Sequence, residues 1–134
     1  MDTQSNTIML VEDDDIDAIA LEKAIELYSS NIKTVRAKEG EDALQQLSRD
    51  RPDLILMDIR MPRMDGRTAL SKIKSDERLK SIPVVMMSTS ESDEDVHYCY
   101  QNYANAYVIK PIGFDMSTKM VSNILNFWLK TAIQ

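Results

Sequence analysis

Two apolar stretches of this chain run straight into carboxylates. Ile8–Val11 (IMLV) is followed by Glu12, Asp13 and Asp14, and Leu54–Met57 (LILM) by Asp58. Two more apolar stretches end in other polar chemistry: Val84–Met87 precedes Ser88 and Thr89, and Tyr107–Ile109 precedes Lys110. Carboxylates gathered in one place repel, and one takes up a proton unless a cation intervenes. A hard divalent ion with oxygen ligands, Mg²⁺, is the natural solution.

The elements that would gather these groups are legible in the hydrophobic pattern. The four apolar runs are continuous rather than alternating, as in parallel strands covered on both faces. A weaker strand, Lys33–Ala37, carries Lys33 and Arg36 and reads as a charged edge strand. Helical patterns follow each strand. Ile16, Ile19, Ala20, Lys23, Ala24 and Leu27 recur at helical spacing, as do Ala43, Leu44 and Leu47, and then Ala69, Leu70 and Ile73. Val96, Cys99, Tyr100 and Tyr103 form the next pattern, with Ser92 as N-cap. A last helix runs from about Asp115 to about Ala132. This alternation predicts an α/β fold, a doubly wound (βα)5 unit forming one domain over residues 1–134. In such sheets the ligand site lies at the carboxyl ends of the strands. Glu12, Asp13, Asp58, Ser88 and Lys110 all fall on that rim, and the three acids converge if the first strand lies beside the third.

Composition excludes several roles. Sixteen Lys and Arg against 22 Asp and Glu give a net charge of -6, which disfavours nucleic acid and anionic lipid as partners. No apolar run reaches membrane-spanning length. The first residues, MDTQSNT, lack the basic and apolar regions of a signal peptide, and the single cysteine, Cys99, forms no intramolecular disulfide. A cytoplasmic location is expected. The acidic run EDDDID alone would read as solvated surface. Asp13, Asp15 and Asp17 have the first spacings of an EF-hand, but Ala18 and Ala24 stand where that loop needs Gly and Glu. His97 reads as a surface residue and Cys99 as core.

Four motifs in order resolve the pattern: LVEDD (Leu10–Asp14), LILMDIRMPRMDG (Leu54–Gly66), PVVMMSTS (Pro83–Ser90) and AYVIKP (Ala106–Pro111). Over essentially its whole length the chain resembles the receiver domains of two-component response regulators, of the stand-alone, chemotaxis-regulator-like kind. Its NFWLKTA ending (Asn126–Ala132) is similar to those of receivers that partner phytochrome-type kinases. The resemblance implies a flavodoxin-like fold with a five-stranded parallel sheet in the order 2-1-3-4-5. It makes Asp58 the phospho-acceptor, with Glu12, Asp13, Asp58 and the backbone carbonyl of Arg60 around Mg²⁺. Ser88 and Lys110 would assist the chemistry, and Ser88 and Tyr107 would form the switch. It also implies a cis Lys110–Pro111 bond. Arg60 and Ser90 match positions that tune water access to the phosphoryl group, and Arg60 is expected to lie over that group.

The pattern departs from the commonest form in places. The first acid of the pair is Glu12, the switch hydroxyl is Ser88 rather than Thr, and Tyr103 and Ala104 stand where a Gly is usual. No output domain follows before Gln134, so output is expected through protein contacts. The implied partners are a sensor or hybrid histidine kinase, with a phospho-dependent homodimer or a downstream protein. Met120, Val121, Ile124, Leu125, Phe127, Trp128, Leu129 and Ile133 form a stripe wider than one core face requires. Three alternatives are weighed. A phosphorelay intermediate would pass the phosphoryl group to a histidine phosphotransfer protein. An aspartyl-phosphate phosphatase wants a second acid two residues after the nucleophile, where Arg60 stands. A binding-only pseudo-receiver would lack Asp58, Asp13 or Lys110. The chain is therefore expected to be no enzyme beyond catalysing its own phosphorylation and dephosphorylation.

Overall fold

The computed structural model describes residues 6–89 and 91–131. Strands β1 (Thr7–Val11), β2 (Lys33–Ala37), β3 (Leu54–Asp58), β4 (Val84–Ser88) and β5 (Ala106–Ile109) alternate with helices α1 (Asp15–Tyr28), α2 (Gly40–Leu47), α3 (Gly66–Ser75), α4 (Asp93–Gln101) and α5 (Phe114–Leu125). The strands form one parallel sheet in the order β2-β1-β3-β4-β5, as expected from the resemblance. The central strands read as continuous apolar runs because helices cover both faces. Ile8, Leu10, Leu54, Leu56, Val85 and Met87 face α1 and α5, while Met9, Val11, Ile55, Met57, Val84 and Met86 face the opposite layer. The parallel direction of β1, β3, β4 and β5 places Glu12, Asp58, Ser88 and Lys110 at the same end of four neighbouring strands.

Side chains that stop a strand also start a helix. Asp14, Asp65 and Ser92 are N-caps and accept the N–H groups of Asp17, Thr68 and Asp95, satisfying donors that a first turn leaves unpaired. Gly66 permits the tight return after β3: its N–H donates to Ile59 O at 2.8 Å, and a Cβ there would lie 2.1 Å from Asp58 O. At the opposite end of the sheet, Lys74 Nζ donates to Lys80 O, Ile82 O and Asn105 Oδ1, and the same Asn105 oxygen accepts the Val84 N–H.

Several expectations need correction. The apolar stripe assigned to α1 is largely outside the core. Ile16, Ile19 and Leu27 are exposed; of that stripe Ala24 is buried, in company with Ala18, Leu21 and Ile25. The helix carries two apolar stripes, and its packing against α5 selects the one with the smaller residues. Tyr103 lies beyond the end of α4 and is exposed, with φ of 68°; it adopts the left-handed conformation for which Gly is usual. The Lys110–Pro111 peptide is trans, since no cis bond occurs among the described residues; Lys110 Nζ reaches the acids along this path. The last helix is regular only to Leu125 and continues as a π-helical turn over Asn126–Thr131. Its stripe divides. Val121, Ile124 and Leu125 are buried, Met120, Trp128 and Leu129 pack partly against them, and Phe127 is exposed. Ser90, Ala132 and Ile133 lie outside the described residues. Ser92, Cys99 and His97 stand as expected, at an N-cap, in the core and on the surface. None of the described helices is long and apolar enough to cross a membrane.

Asn105→Ala should cost about 1–3 kcal/mol, because it strips an acceptor from both Val84 N–H and Lys74. Urea denaturation checks this; an unchanged midpoint would show that the contact contributes nothing.

Candidate functional site

Burial builds this site before any chemistry does. Glu12 follows β1 and is only 1% exposed. Its backbone is held by Arg36 of β2, whose Nε and Nη2 both donate to Glu12 O at 3.0 and 2.9 Å. The third Arg36 nitrogen pairs with Asp15 at 2.9 Å. Asp58 closes β3, its side chain 13% exposed, and its Oδ1 accepts the Ile59 N–H at 3.0 Å. Asp13 is exposed at the rim. Glu12, Asp13 and Asp58 each present a carboxylate oxygen, all within 4.8 Å of one another. The expected convergence therefore occurs.

Lys110 meets these acids from β5, on the far side of β3 and β4. Its own N–H donates to Ser88 O at 2.7 Å, which fixes the strand end. Its Nζ lies 2.5 Å from Glu12 Oε1, 3.3 Å from Asp17 Oδ2 and 3.6 Å from Asp58 Oδ2. One ammonium thus serves three acids. Desolvation by burial pushes the Glu12 carboxyl up to about 7, against the opposing pull of Lys110. Burial raises Asp58 as well, with Lys110 again opposing. Burial alone would lower Lys110, but its hydrogen bond to Glu12 and the charges of Asp58, Glu12 and Asp17 outweigh it and raise the group. Lys110 therefore favours its charged form, and burial favours a proton on Glu12. A divalent cation among the three carboxylates removes the reason for that proton, so the donor set fits Mg²⁺.

The two residues expected to form the switch are also together. Ser88 is 2% exposed, and the Tyr107 phenol, half-buried, is its hydrogen-bond partner. Burial raises the Tyr107 phenol. The Tyr107 N–H donates to Tyr100 Oη of α4 at 3.0 Å, so the residue is tied to β4 by its side chain and to α4 by its backbone.

The Arg60 guanidinium is paired with α4: its Nη2 donates to Asp95 Oδ2 at 2.7 Å. Asp95 is a fully buried acid and holds the side chain there. Asp17, Arg36 and Asp95 were missed as site-shaping residues. Asp17 is on the first turn after β1, which offers a signal. Asp95 stands three residues after Ser92, a spacing that reads as a helix cap and hides its pairing. Arg36 reads as an edge-strand charge.

The comparisons with known proteins follow this geometry. The family described as the response regulator receiver domain matches residues 8–122. The chain is 38% identical to the probable methanogenesis regulatory protein FilR2 of Methanothrix harundinacea, over 91% of this chain and 83% of that protein. It is 33% identical to the response regulator Rcp1 of Synechocystis, over 98% and 96% respectively. Among solved structures, the phosphorylated cyanobacterial phytochrome response regulator RcpA superposes with a TM-score of 0.93 at 35% identity, covering 97% of this chain and 98% of that one. Carboxylates at the ends of β1 and β3, a hydroxyl after β4 and a lysine after β5 are thus borne by a chain of matching fold and sequence, and this chain belongs to the response regulator receiver domain family, the phospho-accepting proteins of two-component systems.

Proposed function

We propose that Asp58 accepts a phosphoryl group from a histidine kinase in the presence of Mg²⁺, and that the modification changes a protein-binding face. The observation that carries this reading is the meeting of Glu12, Asp13 and Asp58 within 4.8 Å, with Lys110 Nζ 3.6 Å from Asp58. In the reaction, an Asp58 carboxylate oxygen forms a bond to phosphorus as the bond from phosphorus to the donor nitrogen breaks. Such transfer needs positioning and charge stabilisation more than covalent assistance. The Ile59 N–H orients Asp58. Lys110 supplies a compact positive charge to a transferred oxygen, and Ser88 supplies a hydroxyl donor. Bound among Glu12, Asp13, Asp58 and the Arg60 carbonyl, Mg²⁺ would neutralise negative charge shared by the acceptor and the phosphoryl oxygens. Similarity to RcpA and Rcp1 makes a phytochrome-type histidine kinase the first donor to test.

The output follows from the Ser88–Tyr107 pair. When Ser88 turns to a phosphoryl oxygen, Tyr107 loses its partner, and α4, β5 and α5 share the consequence through Tyr100. That face carries exposed Tyr100, Tyr103, Ile109 and Phe127, the kind of area that anchors interfaces. Trp128 packs against the α1–α5 core and meets Phe127 edge-on at 4.9 Å; it reports on the face rather than forming its outer surface.

Three outcomes are expected. Acetyl phosphate with Mg²⁺ should add one phosphoryl group to the intact mass, and Asp58→Asn should take none; normal labelling of that variant would sink the assignment. Mg²⁺ affinity should rise as pH increases from about 6 to about 8, because Glu12 holds its proton up to about 7 and must release it to bind, giving at most about tenfold per pH unit. Calorimetric titration measures this, and a flat profile would remove Glu12 from the metal site. Beryllofluoride, a phosphoryl mimic, should promote self-association or partner binding through the α4–β5–α5 face, since a preference of about 1.4 kcal/mol shifts a two-state population about tenfold. Sedimentation that finds a monomer in both states, with partner affinity and Trp128 fluorescence unchanged, would place the output elsewhere.

A further inference from the structure

Arg36, on the outer strand β2, grips the peptide that joins the first two acids of the site. Its Nε and Nη2 both donate to Glu12 O, at 3.0 and 2.9 Å, and Nη1 pairs with Asp15 Oδ1 at 2.9 Å. Glu12 lies just past the end of β1, so a side chain, rather than a ladder bond, holds this carbonyl. The strand behind the grip is itself anchored. Glu12 N–H donates to Ala37 O at 3.0 Å, and Gln46 Nε2 of α2 donates to Arg36 O at 2.9 Å.

Asp13 depends on that peptide for its place. It is exposed, and among the described residues its carboxylate has no hydrogen-bond or ion-pair partner. Its position is therefore inherited from the backbone that Arg36 holds. Two cations pair with this acidic rim, and they differ in what they occupy. Lys110 takes carboxylate oxygens of Glu12 and Asp58, atoms that a metal also needs. Arg36 takes a carbonyl and the carboxylate of Asp15, neither of which belongs to the three-acid cluster. A metal competes with Lys110 for oxygens, whereas the Arg36 contacts are compatible with either state. The guanidinium suits the task, because its rigid fork brings two N–H groups to one oxygen and leaves a third nitrogen for Asp15.

Resting on the proposed Mg²⁺ site, we infer that Arg36 is a positioning residue for the metal ligands: by clamping the Glu12–Asp13 peptide from β2, it presets both carboxylates for a divalent cation. It acts through Glu12 and Asp13 and occupies neither carboxylate. Charge alone would give the opposite effect. A positive group beside the acids repels a dication, so its removal would tighten binding if charge were all that Arg36 supplied. Loss of a clamp lets the peptide rotate and scatters the ligand oxygens, so binding weakens. Partners that orient metal ligands from outside the coordination shell are worth about 10–100-fold in affinity.

The test is calorimetric titration of Mg²⁺ into wild type, Arg36→Met and Arg36→Lys at one pH and ionic strength. Both variants should bind about tenfold more weakly; Arg36→Lys keeps the charge, lacks the fork and should not rescue. Labelling by acetyl phosphate should split in the same way. The Mg²⁺ concentration giving half the maximal rate should rise about tenfold, while the rate at saturating Mg²⁺ stays within about twofold of wild type. Unchanged or tighter binding by Arg36→Met overturns the inference, as does full recovery in Arg36→Lys. A lowered urea midpoint with unaltered Mg²⁺ affinity also overturns it, since Arg36 would then serve stability alone. Because either substitution can unsettle the strand, wild type supplies a second measurement. Its Arg36 Nε–H should exchange slowly with water in both the metal-free and the Mg²⁺-saturated protein, and fast exchange in either state overturns the inference. Wild type that binds no Mg²⁺ would instead bring down the proposed function, an outcome distinct from Mg²⁺ binding that is indifferent to Arg36.

Discussion

One ammonium placed among buried carboxylates organises the rim of this sheet. Lys110 and Glu12 are 98 residues apart in the chain and belong to strand ends separated by two other strands. Their contact therefore requires the order β1-β3-β4-β5 to be in place. Lys110 offsets part of the cost of burying Glu12, and Glu12, Asp58 and Asp17 hold the lysine's charge against its own burial. The remaining excess of negative charge is what makes a divalent cation welcome. Fold and site are thus mutually dependent: the core alternation aims the groups, and the groups hold the strand ends together.

A second polar system governs α4. Apolar packing of this helix rests largely on Cys99, with Val96 half-buried. Its positioning relies on Asp95 near one end, bound to Arg60 and Arg67, and on Tyr100 near the other, bound to the Tyr107 backbone. These links lead to Arg60, two residues past Asp58, and to Tyr107, the partner of Ser88. An element secured by few polar contacts and little apolar area has low local stability, and such elements can respond to a change in charge close by.

Much of this was legible from residue order. Continuous apolar runs marked the buried strands, and the position of each polar group just after its run placed it at a carboxyl end. The acidic rim and Lys110 followed directly. The α1 face was misread because Ile16 and Ile19 are as apolar as Leu21 and Ile25; only the packing against α5 distinguishes them. Tyr103 was read into a helix that ends before it, since nothing in a tyrosine announces a left-handed backbone. The pairing of Arg60 with Asp95 was missed because the burial of Asp95, many residues later, leaves no trace in local spacing. Long-range pairings between a surface arginine and an ordinary-looking helix-cap acid are invisible to periodicity.

The Tyr100 hydroxyl has a consequence beyond signalling. β5 is the outermost strand on its side, and a bare outer strand offers a row of amides to any passing chain. Tyr100 already occupies the Tyr107 amide, and exposed Tyr103 stands close by in sequence after the end of α4. A partner chain cannot simply extend the sheet at this point without first displacing a phenol. At this amide the edge is closed to the strand-on-strand pairing that leads to fibres.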